Sequence, residues 1–179
     1  QERTFSFASR LFGKEGEVKE ARVLLQYTPK NLNAQFESET TAATLISHVP
    51  LTFELDLPSR IEADQEFSFA LNYFSNSEYP LSDLRIKIEY PGGFSFSKAT
   101  SSPIGESEWN VGLLNRAEGG RILITGSLRG EVQEAKIFKA TLGTWKEGKF
   151  TLLREAIKGI EITRTRLLIS QEVNGSSDY

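Results

Sequence analysis

Leu51-Thr52-Phe53-Glu54-Leu55-Asp56-Leu57 decides the fold class. Apolar residues occupy every second position, so one face of an extended chain meets a core and the other meets water. Phe67-Ser68-Phe69-Ala70-Leu71-Asn72-Tyr73 repeats the pattern, and so does Leu84-Arg85-Ile86-Lys87-Ile88-Glu89-Tyr90. In the last of these, Arg85, Lys87 and Glu89 form the solvated face. Outward from these strands the punctuation agrees. Ser75-Asn76-Ser77-Glu78 separates two strands, and Pro91-Gly92-Gly93 makes a turn after which Phe94 and Phe96 resume the alternation. Lys146-Glu147-Gly148-Lys149, between Ile137–Trp145 and Phe150–Leu153, reads as a hairpin loop. Two segments fit either period. In Glu15–Gln26, the alternation of Ala21, Val23 and Leu25, extended by Tyr27, favours a strand over a helix. In Ile157–Thr165 the β-branched content does the same.

Composition sets bounds on function. The chain has 179 residues, with 21 Lys+Arg against 24 Asp+Glu and a formal charge of −3. That balance gives no electrostatic basis for nucleic-acid binding. No apolar run approaches a membrane helix, so no membrane insertion is expected within this segment. The absence of Cys excludes disulfides, thiolate nucleophiles and Cys-ligated zinc. The absence of Met predicts that Gln1 marks a processed or excised piece.

The candidate chemistry is sparse. His48 is the only imidazole and stands beside Val49-Pro50-Leu51, where it reads as a junction residue. A Ser-His-Asp site would have to use it. Gly143-Thr144-Trp145-Lys146-Glu147-Gly148-Lys149 imitates a phosphate loop, but Phe150 stands where magnesium binding needs Ser or Thr. Glu62, Asp64 and Glu66, with Glu54 and Asp56 nearby, could hold calcium at a joint between modules, although no D-x-[DN]-x-[DN]-G run is present. As alternate strand residues they simply face water. Trp109 reads as a core filler; Trp145 adjoins a hairpin tip, where it could be partly exposed, and a contact with a partner or neighbouring module is its minority reading. Asn174-Gly175-Ser176 fits a glycosylation acceptor. No residue is assigned a catalytic, cofactor-binding or metal-binding role.

An internal echo organises the chain. Glu17-Val18-Lys19-Glu20-Ala21-Arg22-Val23 matches Glu131-Val132-Gln133-Glu134-Ala135-Lys136-Ile137 at an offset of 114. Phe36 and Phe150, Ile46 and Ile160, and Leu55 and Ile169 agree at the same offset, which places Ile162 opposite His48. Residues 1–50 are then the C-terminal half of a module, 51–164 a complete one, and 165–179 the first strand of a following module or a tail.

The complete module resembles the immunoglobulin-like conserved repeat domains of bacterial cell-surface stalk and adhesin proteins. The resemblance is carried by the order Leu51–Leu57, the acidic loop Glu62–Glu66, Phe67–Tyr73 with Asn76-Ser77, Leu81–Ile88, Tyr90-Pro91-Gly92-Gly93-Phe94-Ser95-Phe96, and Trp109-Asn110-Val111-Gly112-Leu113-Leu114. Ser77 departs from the family's usual glycine. With seven to nine strands per module and regular turns, the expected fold is an all-β, immunoglobulin-like antiparallel β-sandwich in tandem modules. The expected function is that of a non-enzymatic extracellular spacer at the cell surface. Its partners would be neighbouring modules, or other copies through β-strand pairing, and Val49-Pro50 would stiffen the joint. Two alternatives are an adhesion or fibre-assembly module using strand complementation and a carbohydrate-binding accessory module using Trp145, Tyr27 and Tyr79.

Overall fold

The computed structural model describes residues 4, 6, 8–30 and 33–163. These form eleven strands: β1 (Val18–Tyr27), β2 (Phe36–Leu45), β3 (Leu51–Asp56), β4 (Arg60–Glu62), β5 (Glu66–Ser75), β6 (Leu81–Glu89), β7 (Phe94–Ala99), β8 (Glu108–Leu114), β9 (Gly119–Leu128), β10 (Ala135–Lys146) and β11 (Lys149–Thr163). There is no helix among the described residues. The expected first strand at Thr165–Val173, the Ile169 match and the Asn174 acceptor lie outside them.

From β3 onward, two sheets pack face to face, one ordered β3-β5-β9-β7 and the other β4-β11-β10-β6-β8. The first matches the ABED sheet of an immunoglobulin constant-type domain. The second matches its CFG sheet, with β8 added beside β6 and β4 added beside β11. The crossing differs, because β7 precedes β8 in the chain, so the connection passes to the first sheet and back. The β4–β11 pair is parallel, Arg60–Glu62 lying against Glu161–Thr163. All the other ladders are antiparallel.

The alternation read from the sequence builds the core. Leu51, Phe53 and Leu55 of β3 are buried, and Leu84, Ile86 and Ile88 of β6 face them from the other sheet's layer. At the centre, Phe138 of β10 is fully buried among Phe67, Phe69, Tyr90 and Phe94. Trp109 is 2 % exposed, and its indole N–H donates to the Ser101 carbonyl at 3.1 Å. Such a ring adds apolar area while its polar atom stays satisfied. Burial in turn pushes the Tyr90 phenol pKa strongly upward, helped by the Glu106 charge. The Pro91-Gly92-Gly93 turn needs its second glycine. Gly93 has φ 92°, and a Cβ there would run into the Arg129 carbonyl. The phosphate-loop mimic at Gly143–Lys149 is the β10–β11 hairpin, turned by Glu147 and Gly148 at positive φ.

The chain enters and leaves the sandwich at opposite ends. Leu51 pairs with Ser75 at one end, and Thr163 pairs with Glu62 at the other. β1 and β2 stand apart as a separate two-stranded antiparallel sheet, in register from Val18↔Leu45 to Tyr27↔Phe36.

Candidate functional site

The stretch Gly13-Lys14-Glu15-Gly16-Glu17-Val18-Lys19 and the stretch Gly130-Glu131-Val132-Gln133-Glu134-Ala135-Lys136 fold into the same turn. In the first, the Glu17 carboxylate accepts the Lys14 N–H at 3.0 Å. In the second, Glu134 accepts the Glu131 N–H at 2.9 Å. The Glu17 N–H donates to the Lys14 carbonyl at 3.1 Å, as the Glu134 N–H does to Glu131 at 3.0 Å. Gly16 and Gln133 both take positive φ, 84° and 70°. Their N–H groups donate to the Ile46 and Ile162 carbonyls, each at 2.8 Å. Lys19 and Lys136 close on the remaining carboxylate oxygen. A Cβ at Gly13 would meet Glu17 and Ile46, and one at Gly130 would meet Glu134 and Ile162.

The two turns share one geometry, and its register differs from the sequence match. Glu17 corresponds to Glu134 rather than Glu131, an offset of 117 in the first strand, and Ile46 corresponds to Ile162 rather than Ile160. Residues Glu131–Lys136 carry a glutamate at both positions three apart, so side-chain identity favoured the wrong one. The carboxylate that caps the turn, with the backbone bonds to Ile46 and Ile162, distinguishes them.

Both capping carboxylates titrate below the ordinary range. Glu17 is lowered by the Lys19 hydrogen bond first and the Lys14 N–H second, and Glu134 by Lys136 and then the Glu131 N–H. A pKa depressed in the folded state stabilises above the unfolded value, near 4.5, and that stabilisation is lost as pH falls through the folded value. Replacing both residues (Glu17→Gln with Glu134→Gln) is expected to lower stability at neutral pH and to flatten the acid loss. Urea unfolding at about pH 7 and about pH 3 measures both effects.

The first turn is clamped to the sandwich by Arg154 on β11. Its Nε donates to the Leu51 carbonyl at 2.9 Å, its Nη2 to the Val49 carbonyl at 2.8 Å, and its Nη1 to Glu15 Oε2 at 3.0 Å. Lys14 pairs with Glu155 at 3.8 Å. The Arg10 guanidinium lies 4.1 Å from the Tyr79 ring centroid, and Lys146 sits over Phe12. Ile46 and Val49 are buried in the same core as the sandwich strands. These groups close around a cleft of about 270 Å³, floored by Ile46, Val49, Leu51 and Leu153 and flanked by Arg10, His48 and Tyr79.

The other expected residues fall elsewhere. His48 is exposed on the cleft wall. Asp56 pairs with Arg121 and Asp64 with Arg129, so these acids hold cations of the chain. No group of three or more His, Cys, Asp or Glu residues among those described could hold a metal. Trp145 packs beside Phe150 and under Arg85 and Lys87, both of which also bind Glu108. Burial raises the Glu108 pKa, but those two cations outweigh it and the net direction is down. Tyr27 stacks on Phe36 in the β1–β2 hairpin and Tyr79 lies under Arg10, so the three aromatic candidates sit in three separate places. No helix among the described residues is long and apolar enough to cross a membrane. Sequence reasoning missed Arg154, Glu15 and Lys14. Their partners are backbone carbonyls or opposite charges far along the chain, and no local pattern marks them.

No protein-family model and no curated protein matches the chain. Solved structures do. The chain is similar to AvmM, described as catalysing macrocyclization in alchivemycin A biosynthesis, at 12% identity and TM-score 0.50, over 65% of this chain and 90% of that one. It is similar to Escherichia coli alpha-2-macroglobulin in its native conformation at 15% identity and TM-score 0.50, over 81% of this chain but only 8% of that one. The CARDB domain of PF1109 from Pyrococcus furiosus matches at 11% identity and TM-score 0.46, over 64% and 94%. At these identities the likeness is one of fold. The strand order of β3–β11 is that of an immunoglobulin-like β-sandwich, a scaffold that serves unrelated tasks.

Proposed function

We propose that this chain is a non-enzymatic spacer from a tandem-repeat protein of the bacterial cell surface, working outside the cell to hold neighbouring modules at a fixed separation. The observation that carries this reading is the joint. Arg154 ties the turn before β1 and the segment leading into β3 to β11 with three hydrogen bonds, two of them to backbone carbonyls. A charged donor on backbone acceptors is among the stronger hydrogen bonds a protein makes. Val49-Pro50 limits the chain's freedom on the same connection. Chain entry and exit at opposite ends of the sandwich support end-to-end stacking. The extracellular setting rests on the sequence resemblance of the Leu51–Leu114 elements.

Tension applied through Leu51 and Thr163 would shear the parallel β4–β11 pair, loading its hydrogen bonds together rather than one by one. Single-molecule pulling through those two positions is expected to give one all-or-none rupture of β3–β11. Gradual peeling at low force would remove the spacer reading.

A further inference from the structure

The β1–β2 hairpin exposes a face that its own counterpart buries. At the offset set by the shared turn, Ala21, Val23, Leu25 and Tyr27 stand where β10 carries Phe138, Ala140, Leu142 and Thr144. The β10 residues are buried under β3-β5-β9-β7. Val23, Leu25 and Tyr27 are 46%, 56% and 49% exposed. Phe36, opposite Tyr27, extends the same apolar face. The hairpin thus has the surface of a core with nothing packed on it.

The sequence before the hairpin indicates what packs there. At the same offset Phe5, Phe7 and Leu11 fall where Ile122, Ile124 and Leu128 alternate in β9. Leu11 is 49% exposed, whereas Leu128 is fully buried. A second copy of the hairpin is too small an occupant. Two ten-residue strands offer a face of roughly 34 by 10 Å, so two such faces bury about 700 Å², below the roughly 1,000 Å² of a stable interface.

We infer that β1–β2 is the closing hairpin of a second sandwich, covered by a sheet of the β3-β5-β9-β7 kind. Polypeptide of the β3–β9 kind supplies that sheet, with Leu11 standing where Leu128 ends β9. A β6-like strand from the same source pairs with the free edge of β1, as β6 pairs with β10. This rests on reading the joint as a connection between modules.

The test places residues 49–118 of this chain ahead of Glu2 in the full chain, so that β3–β8 precede residues 2–11 as they precede β9. A second fusion also carries Ala21→Phe, which restores the large β10 side chain. Hydrogen exchange of the β1–β2 amides is expected to slow by about 100-fold or more in at least one fusion relative to the parent chain. Val23→Asp is expected to abolish that protection in the fusion, with β3–β11 unchanged. If neither fusion protects the hairpin while β3–β11 stays protected, the inference is overturned. It is equally overturned if the unfused chain protects its hairpin by dimerising as concentration rises, which makes a second copy the occupant. Either result leaves the one-step rupture of β3–β11, and with it the spacer reading, standing.

Discussion

Phe138→Ala is expected to remove most of the stability of the sandwich. The side chain has no solvent exposure, and four aromatic rings lie edge-on to it: Phe69 at 5.2 Å between centroids, Phe94 at 5.4 Å, Tyr90 at 6.2 Å and Phe67 at 6.4 Å. These rings come from β5, β7 and the residue just after β6, so Phe138 joins both sheets. Truncating a buried Phe costs about 3–5 kcal/mol, because the cavity collapses only in part. Lost edge-to-face contacts place this site toward the upper end of that range. A domain of this size holds about 5–15 kcal/mol in total. Urea unfolding followed by tryptophan fluorescence is expected to show a midpoint reduced by a third or more, or no folded baseline. Its neighbour Ile137, 61% exposed, is the control, and Ile137→Ala is expected to stay within about 0.5 kcal/mol. A loss below about 1 kcal/mol at Phe138 would contradict the packing described.

The second large effect is at Arg154. Arg154→Met keeps an apolar stem and removes the guanidinium, leaving the Val49 and Leu51 carbonyls and the Glu15 carboxylate without that donor. Hydrogen bonds to a charged group contribute about 1.5–3 kcal/mol each when broken one at a time, and these three act as a unit and do not add. The expected global loss is about 2–3 kcal/mol. The more specific effect is on the joint, because the remaining charged tethers are the long Lys14–Glu155 pair and the rings under Arg10 and Lys146, beside the buried Ile46 and Val49. The variant is expected to fold and to let the hairpin swing.

Much of the fold was legible in the sequence because half-buried strands write their burial into period two. Leu51–Leu57, Phe67–Tyr73 and Leu84–Tyr90 fall on β3, β5 and β6, and the Lys146–Lys149 loop on the β10–β11 turn. The parallel partner of β11 was not legible. Arg60–Glu62 is too short to show a period, and its pairing depends on where two distant segments meet. The sequence echo pairs Glu17 with Glu131, whereas the shared turn geometry pairs it with Glu134, because identity at Glu131 competed with the cap made by Glu134. At the joint, the sequence marked Val49-Pro50 and His48. It gave no sign of Arg154, whose role lies in carbonyls about a hundred residues away. The aromatic candidates for a carbohydrate platform were real aromatics, but in three separate environments, because sequence shows a ring and not its neighbours.

The central claim is that hairpin and sandwich form one stiff joint held by Arg154. The chain contains no cysteine, so spin labels can be placed at Glu20→Cys on β1 and Ile157→Cys on β11 without background. Pulsed electron–electron resonance between them should give a single narrow distance distribution that broadens in Arg154→Met. A broad distribution in the parent chain, unchanged by that substitution, would contradict the account.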